Sequence, residues 1–399
     1  MSVTSTPSIV VTVAGTDRPG IGALLWRALD DIGHPITDIE QITVRGQLLL
    51  CAEIDAPAAS DLDAIRQQLD ASDLAREPGI SVTAIRYADP VAEALGTRQV
   101  VTIVGPTITA SALDGVFSAI ASLGGTVERI QHLASYPVAA YELTVAVQDA
   151  VALRSRLVRA AKKLGIDVAV QRAGLYRRAK HLIVMDADST LLQGEVIDAL
   201  AAKCGCEAAV AAITERAMAG ELDFEASLRE RVGLLKGLPA SVLDEVAEET
   251  LLTPGAQTLV RTLQRLGYVA AIVSGGFTQV IDPIAASLGI ELVAANTLEV
   301  VDGVLTGNII GQVVDRAGKA EALRHFAAHV GVPVNQTVAI GDGANDLDMI
   351  GAAGLGIAFN AKAVVRDAAD TALSVPYLDA VLFFLGISRK EIEAADGEG

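Results

Sequence analysis

The sequence predicts an α/β protein in three parts: two small βαββαβ modules in tandem, then a larger domain on a mostly parallel sheet with a helical insertion over one end. Three observations carry this expectation. A stretch near the N-terminus recurs at an offset of about ninety residues, the mark of an internal duplication. Further along, short apolar runs alternate with amphipathic stretches, and each run ends in acidic, hydroxyl or glycine-rich residues, as strands of an open α/β sheet do where they face a ligand. Between the first two of those runs, residues 195–253 have helical periodicity and no evident strand.

Composition agrees. A chain of 399 residues exceeds one ordinary core, and 51% hydrophobic with 20% charged residues describes a well-buried globular protein. No charge-free run exceeds 16 residues, and the apolar one over 266–281 is broken by Ser274-Gly275-Gly276, too short and turn-rich for a membrane span. The first residues lack a basic n-region and run directly into strand-like alternation, so no signal peptide is expected and the protein is expected to be cytoplasmic. A net charge of −18 argues against general nucleic-acid binding. Cys51, Cys204 and Cys206 are too few for a disulfide framework and are expected to be ordinary thiols.

The repeat aligns residues 10–41 with 100–131, pairing Gly15 with Gly105, Gly33 with Gly124 and Ile39 with Ile130. Each copy opens with a strand (9–14; 100–104) and an amphipathic helix (21–32; 110–123). Two strands follow (36–44 and 48–54; 127–133 and 138–147), then a helix (60–74; 150–164) and a last strand (80–87; 166–171), the ferredoxin-like order. The loop Gly15-Thr16-Asp17-Arg18-Pro19-Gly20 resembles that of the ACT domain, a small-molecule sensing module of amino-acid enzymes. The resemblance implies an amino-acid effector such as serine near Gly15, Asp17 and Gly20. Gly20 permits close backbone approach, and the helix N-terminus accepts a carboxylate. A tight turn with an N-cap is the alternative reading of the same residues. In the second copy Thr107-Ile108-Thr109-Ala110 replaces Asp17-Arg18-Pro19-Gly20, which keeps the fold without the ligand loop. Modules of this kind pair through sheet edges or helices, so a homodimer through the two modules is expected.

Residues 154–180 reverse the charge balance, with nine Lys or Arg against Asp167 alone. Only Tyr176 supplies an aromatic, so a solvated helix face running into a basic linker is expected rather than a nucleic-acid patch.

The third part begins with the apolar run Leu182–Met185, read as a buried strand that delivers Asp186, Asp188, Ser189 and Thr190 at its carboxyl end. Two carboxylates one residue apart need a cation or a shared proton, and a hard divalent ion meets that need. Taken alone, the acidic pair could equally cap the next helix. A strand over 268–273 then leads to Ser274-Gly275-Gly276-Phe277, a hydroxyl with backbone N–H groups suited to phosphate. A hairpin is expected to turn at Asp302-Gly303, and Lys319 opens a further helix, where it can neutralise phosphate oxygens and a nucleophile. A strand over 337–340 delivers Gly341-Asp342-Gly343-Ala344-Asn345-Asp346.

In this order, Asp186-x-Asp188-x-Thr190, Ser274, Lys319 and Gly341-Asp342-Gly343-x-x-Asp346 resemble the four motifs of the haloacid dehalogenase superfamily, which implies a Rossmann-like core. The resemblance makes Asp186 the nucleophile and Asp188 the general acid and base. It places Mg2+ between Asp186, the main-chain carbonyl of Asp188 and Asp342, with Asp346 in support and Asn345 on phosphate or metal. The run from Asp186 to Asp198 further resembles the phosphoserine phosphatases, and residues 195–253 then form their helical cap. That likeness implies Glu195 on the substrate ammonium, Arg231 on its carboxylate, and Met218 and Phe224 as apolar lining; Ser274, Gly275 and Lys319 hold phosphate. The domains are expected at 1–92, 93–175 and 176–399. The implied activity is hydrolysis of O-phospho-L-serine, with transfer of the phosphoryl group to another alcohol such as homoserine, or an amino-acid-responsive regulatory role, as alternatives.

Overall fold

The computed structural model describes residues 8–30, 33–56, 58, 61–87, 96–174, 177 and 179–397, with the side chain of Met218 outside that description. The chain divides into two compact units, Met1–Ala94 and Leu95–Gly399. The first break falls close to the expected module boundary, whereas the second module and the large domain form one unit.

In the first unit β1 (Ser8–Thr16), α1 (Ile21–Asp30), β2 (Ile36–Val44), β3 (Gln47–Asp55), α2 (Asp61–Ala71) and β4 (Ile80–Tyr87) build a sheet of order β2-β3-β1-β4. The last two residues of the helix expected over 21–32, and Ser60 at the start of the next, lie outside the described residues. Alternation along β1 sends Ile9, Val11 and Val13 into a core with Leu25 and Ile65. The opposite face leaves Ile42, Val44, Leu49 and Ile85 exposed. Gly15 has φ +149° and a Cβ there would overlap the Gly79 carbonyl, so packing alone demands glycine.

The second module repeats the order: β5 (Thr97–Gly105), α3 (Ala110–Ala121), β6 (Thr126–Ala134), β7 (Ala139–Val147), α4 (Ala150–Leu164) and β8 (Asp167–Arg172), with sheet order β6-β7-β5-β8. Thr109 and Asp149 cap α3 and α4 through their side chains, and Gly165 ends α4 in the left-handed conformation. Here β5 is buried on both faces. Val101 and Ile103 pack under the module's own helices, while Val104, Leu133, Val138 and Ala140 join the core of the large domain. Polar contacts fix the same junction: Gln171 donates to the Phe384 carbonyl at 2.7 Å, Thr371 to the Val168 carbonyl at 3.0 Å and the Ser374 N–H to Asp167 at 2.6 Å.

The large domain begins with β9 (Leu182–Met185), followed by cap helices α5 (Val196–Cys204), α6 (Glu207–Met218), α7 (Phe224–Gly233) and α8 (Ser241–Glu249). It continues through α9 (Ala256–Arg265), β10 (Val269–Phe277), α10 (Thr278–Ser287), β11 (Leu292–Val301), β12 (Val304–Ile310) and α11 (Arg316–His329). Then come β13 (Thr337–Gly341), α12 (Leu347–Ala352), β14 (Leu355–Phe359), α13 (Ala363–Ala368), β15 (Thr371–Leu373), α14 (Val381–Phe384) and α15 (Arg389–Gly397). Strand order is β12-β11-β10-β9-β13-β14-β15, so β9 is central and the order reverses on either side of it, where open sheets bind ligands. Asp302 (φ 50°) and Gly303 (φ 76°) form the expected two-residue turn between β11 and β12.

Two features differ from the sequence reading. β10 does not stop at Val273: it continues through the glycines to Phe277 across a register shift, because Asn296 on β11 holds the Gly275 carbonyl at 2.8 Å. Cys204 and Cys206 are paired as a disulfide rather than free, because the left-handed Gly205 turn after α5 brings their Cα atoms to 5.4 Å; Cys51 is free. No helix among the described residues is long and apolar enough to cross a membrane.

Burial at the module junction raises the pKa of Asp167, offset in part by the Ser374 N–H and by Arg366. Folding therefore favours its neutral form. That contribution is complete below the unfolded pKa of about 4 and is lost as pH rises through the folded value. Asp167→Asn keeps an acceptor for Ser374 without a charge to desolvate. It should raise the melting temperature relative to the parent at pH 8 and change it little at pH 4; equal shifts at both would show that charge is not the cause.

Candidate active site

The central position of β9 puts Asp186 at the middle of the sheet's carboxyl edge, where its N–H donates to the Ile340 carbonyl of β13 at 2.9 Å. The chain then turns through a short non-regular helical segment in which Ser189 takes φ 56°. This turn aims Asp186 and Asp188 in different directions.

Asp186 is buried. One carboxylate oxygen accepts from the Ala187 N–H at 2.8 Å and lies 2.7 Å from Lys319 Nζ. Lys319 has no exposed surface and sits at the same 2.7 Å from Asp346, whose other oxygen accepts from the Gly343 N–H at 2.9 Å. Burial alone would discharge Lys319, but Asp186 and Asp346 more than offset it and hold the ammonium above its ordinary pKa. Burial likewise raises Asp186 well above the carboxylate range, against the pull of Lys319. Gly341 is required here, since a Cβ would strike the Asp346 carboxylate.

Asp188 points toward the cap. It accepts from the Val196 N–H at 2.8 Å and from Ser274 Oγ at 3.4 Å. Ser274 Oγ in turn accepts from the Gly276 N–H at 2.8 Å. Burial, with Glu195 close by, pushes Asp188 up to about 7, where one carboxyl can both give and take a proton near neutrality. Burial also raises Asp342 to about 6; it accepts from Thr190 Oγ1 at 3.2 Å.

One oxygen each from Asp186, Asp342 and Asp346 lie within 4.8 Å of one another. Three carboxylates share one lysine, so the cluster carries uncompensated negative charge, and its all-oxygen donor set fits a hard divalent cation. The sequence reading put Asp346 in a supporting place; the geometry brings its carboxylate into the same cluster as that of Asp342. The Asp188 carboxylate faces Ser274 and α5 instead.

A cavity of about 440 Å3 opens above these groups. Asp186, Asp188, Gly275, Asp342 and Asn345 line its floor, and Glu195, Phe224 and Arg231 its cap side. Ser274 and Lys319 are fully buried beneath it. Glu195 accepts from Ser189 Oγ at 3.0 Å and occupies the N-cap position of α5 without bonding the helix end, which leaves its charge directed at the cavity. Arg231 makes no ion pair within 4 Å among the described residues and touches only the Ser227 carbonyl, at 3.4 Å. Phe224 packs over Gly275, so close that a Cβ at 275 would lie 3.2 Å from its ring. Met218 ends α6, and its side chain lies outside the described residues. In the first unit Asp17 accepts from Thr43 at 3.3 Å, while Gly20 has φ +98° and open space around it.

Several lining residues escaped the sequence reading. Among the described residues the buried Ser227 hydroxyl has no hydrogen-bond partner, and Lys362, Val364 and Val365 come from α13 and its N-cap, far along the chain. A serine inside a helix and an Ala-Lys-Ala loop carry no motif, and only the closure of sheet and cap brings them here. Asn296 carried no signal either, although it anchors the Gly275 backbone.

Residues 183–350 match the family model of the haloacid dehalogenase-like hydrolases, and residues 8–82 and 97–171 each match an ACT domain model. The chain is 52% identical over 392 residues to a phosphoserine phosphatase of Streptomyces coelicolor, covering 98% of this chain and 95% of that one. It is 48% identical to the phosphoserine phosphatase SerB2 of Mycobacterium tuberculosis, with the same coverage. Among solved structures, a haloacid dehalogenase family hydrolase of Salmonella enterica serovar Typhi superposes with TM-score 0.64 at 28% identity, over 72% of this chain and 98% of that one. A probable phosphoserine phosphatase of Vibrio cholerae superposes with TM-score 0.58 at 35% identity, over 78% and 92%. Fold and site together thus define a hydrolase of the haloacid dehalogenase type. Within that class the chain belongs to the phosphoserine phosphatase family, in a form with two ACT domains ahead of the catalytic domain.

Proposed function

We propose that the site hydrolyses O-phospho-L-serine to L-serine and phosphate, the last step of serine biosynthesis. The observation that carries this reading is a single cavity lined by Asp186 and Asp188 below and by Glu195 and Arg231 above. A phosphorylated amino acid needs that set: a nucleophile and a proton donor at the phosphoryl end, and one negative and one positive group for its ammonium and carboxylate. Arg suits the carboxylate because its planar fork meets two oxygens at once.

In this reading an Asp186 oxygen attacks phosphorus while Asp188 gives its proton to the departing serine oxygen, leaving an aspartyl-phosphate. Asp188, now ionised, removes a proton from water, which attacks the acyl phosphate and regenerates both carboxyl groups. Lys319 and the Gly275 and Gly276 backbone stabilise charge on the phosphoryl oxygens. Mg2+ held by Asp186, Asp342 and the Asp188 main-chain carbonyl, with Asp346 in support, would offset repulsion between an anionic nucleophile and an anionic substrate. The cap keeps bulk water from the serine end, with Phe224 against Gly275 as its contact with the floor. The ACT modules take an amino-acid effector such as serine and join two chains into a homodimer. The exposed apolar face of the first sheet supports that pairing.

Asp186→Asn should abolish phosphate release with the fold retained by circular dichroism, and EDTA should silence the parent until Mg2+ is restored. Full turnover in Asp186→Asn would remove it as nucleophile, and serine release that depends on added homoserine without a matching release of inorganic phosphate would identify a transferase. Arg231→Ala should lower kcat/KM for phosphoserine by about 10- to 150-fold, as loss of a charged hydrogen bond does, and far less for phosphoethanolamine, which lacks the carboxylate. Equal losses on both substrates would exclude Arg231 from carboxylate recognition. Serine titrated against activity should give a saturable response that Gly20→Val weakens; a flat response in the parent would remove the effector reading.

A further inference from the structure

A second cavity, of about 670 Å3, lies between the second ACT module and the edge of the catalytic sheet. One wall is α4 with β8, and the other is α13 with the chain leading through β15. Its size is that of a small-molecule site. Four cationic side chains reach it, Arg154, Arg159, Lys162 and Arg366, against Asp167, Asp367 and Asp370. Arg154 pairs with Asp370 at 3.0 Å, and Asp167 accepts from the Ser374 N–H and feels the charge of Arg366, so the lining carries four cations against three carboxylates. Among the described residues Arg159, Lys162 and Arg366 have no ion pair within 4 Å, against Asp167 and Asp367 in the same condition. In a chain of net charge −18, this is a local excess of positive charge inside a concave surface. Between the cations the lining is apolar, with Val151 (78% exposed) and Val158 (39% exposed) uncovered on α4. Bare phosphate would leave those valines in water. An anion on an apolar body would cover them while its charge meets Arg159, Lys162 and Arg366.

The wall at α13 is shared. Lys362, Val364 and Val365 line the catalytic cavity, whereas Ala363, Arg366, Asp367 and Ala368 line the second one. Successive residues of this six-residue helix therefore face two separate spaces. We propose that the second cavity is a binding site for a small organic anion with an apolar body, and that its occupancy is felt at the catalytic cavity through α13. A ligand gripping Arg366 alters the placement of Lys362 and Val365, and with it the fit of substrate.

The test uses the full-length protein with Mg2+ and anilinonaphthalenesulfonate, an aromatic sulfonate that a phosphatase cannot cleave. Fluorescence titration should show one saturable site that excess phosphoserine does not displace. Combined Arg159→Glu and Lys162→Glu should weaken it by about tenfold or more, and Val158→Trp, which fills the cavity without removing charge, should do the same. Lys163→Glu, the same kind of charge reversal at a neighbouring position on the same helix outside the lining, should leave it unchanged. Saturating probe should shift KM for phosphoserine in the parent and not in the double variant. Unchanged affinity in the double variant and Val158→Trp, an equal loss in Lys163→Glu, or displacement by phosphoserine would overturn the site. Binding without a change in KM would overturn the coupling through α13. The kinetic arm rests on phosphoserine being the substrate and the fluorescence arm does not, so a protein that binds the probe but leaves phosphoserine intact fails the first reading alone.

Discussion

Lys319, locked between Asp186 and Asp346 at 2.7 Å from each, is the interaction on which the catalytic half depends. A buried ammonium is tolerated only when paired, and a buried carboxylate likewise. Here each satisfies the other, and three chain segments distant in sequence are tied at one point: the end of β9, the first turn of α11 and the loop after β13. The pairing has a second effect. It leaves negative charge in excess around Asp342, so the same contact that holds the loops together also prepares the oxygen cluster for a cation.

The two halves of the duplication have diverged in what they do with one fold. In the first module β1 alternates, with one face in its own core and the other open. In the second, β5 is buried throughout its last seven residues, because its outer face is covered by the large domain. The difference shows in composition: the second module lost the Asp-Arg-Pro-Gly loop while its outer face became part of another core. A module with one sheet face left open and a module built into another domain need different surfaces, and the duplication supplies both.

Much of this was legible in the sequence. The duplicated strand and helix order, the central strand Leu182–Met185, the hairpin at Asp302-Gly303 and the four acidic, hydroxyl and lysine motifs all follow from local patterns, because each depends on near neighbours in the chain. What escaped depends on distant ones. The extension of β10 to Phe277 is imposed by Asn296 on the neighbouring strand, and the fusion of the second module to the catalytic domain rests on pairs such as Gln171 with Phe384. Ser227 and Lys362 are ordinary residues in their own surroundings and enter the site only when the cap and α13 close around it. The pairing of Cys204 with Cys206 turned on the backbone of Gly205, which spacing alone does not specify.

The fusion at β5 also changes what counts as a separable piece. By sequence, the catalytic domain could be cut free near residue 176, where a basic linker begins. In three dimensions that cut would strip Val104, Leu133, Val138 and Ala140 from the cluster that holds Phe383 and Phe384, and lay a hydrophobic wound open to water. The unit that inherits together is therefore the second module with the phosphatase. Any recombination that swaps the N-terminal part of this architecture has its natural seam ahead of Leu95, not behind Arg172.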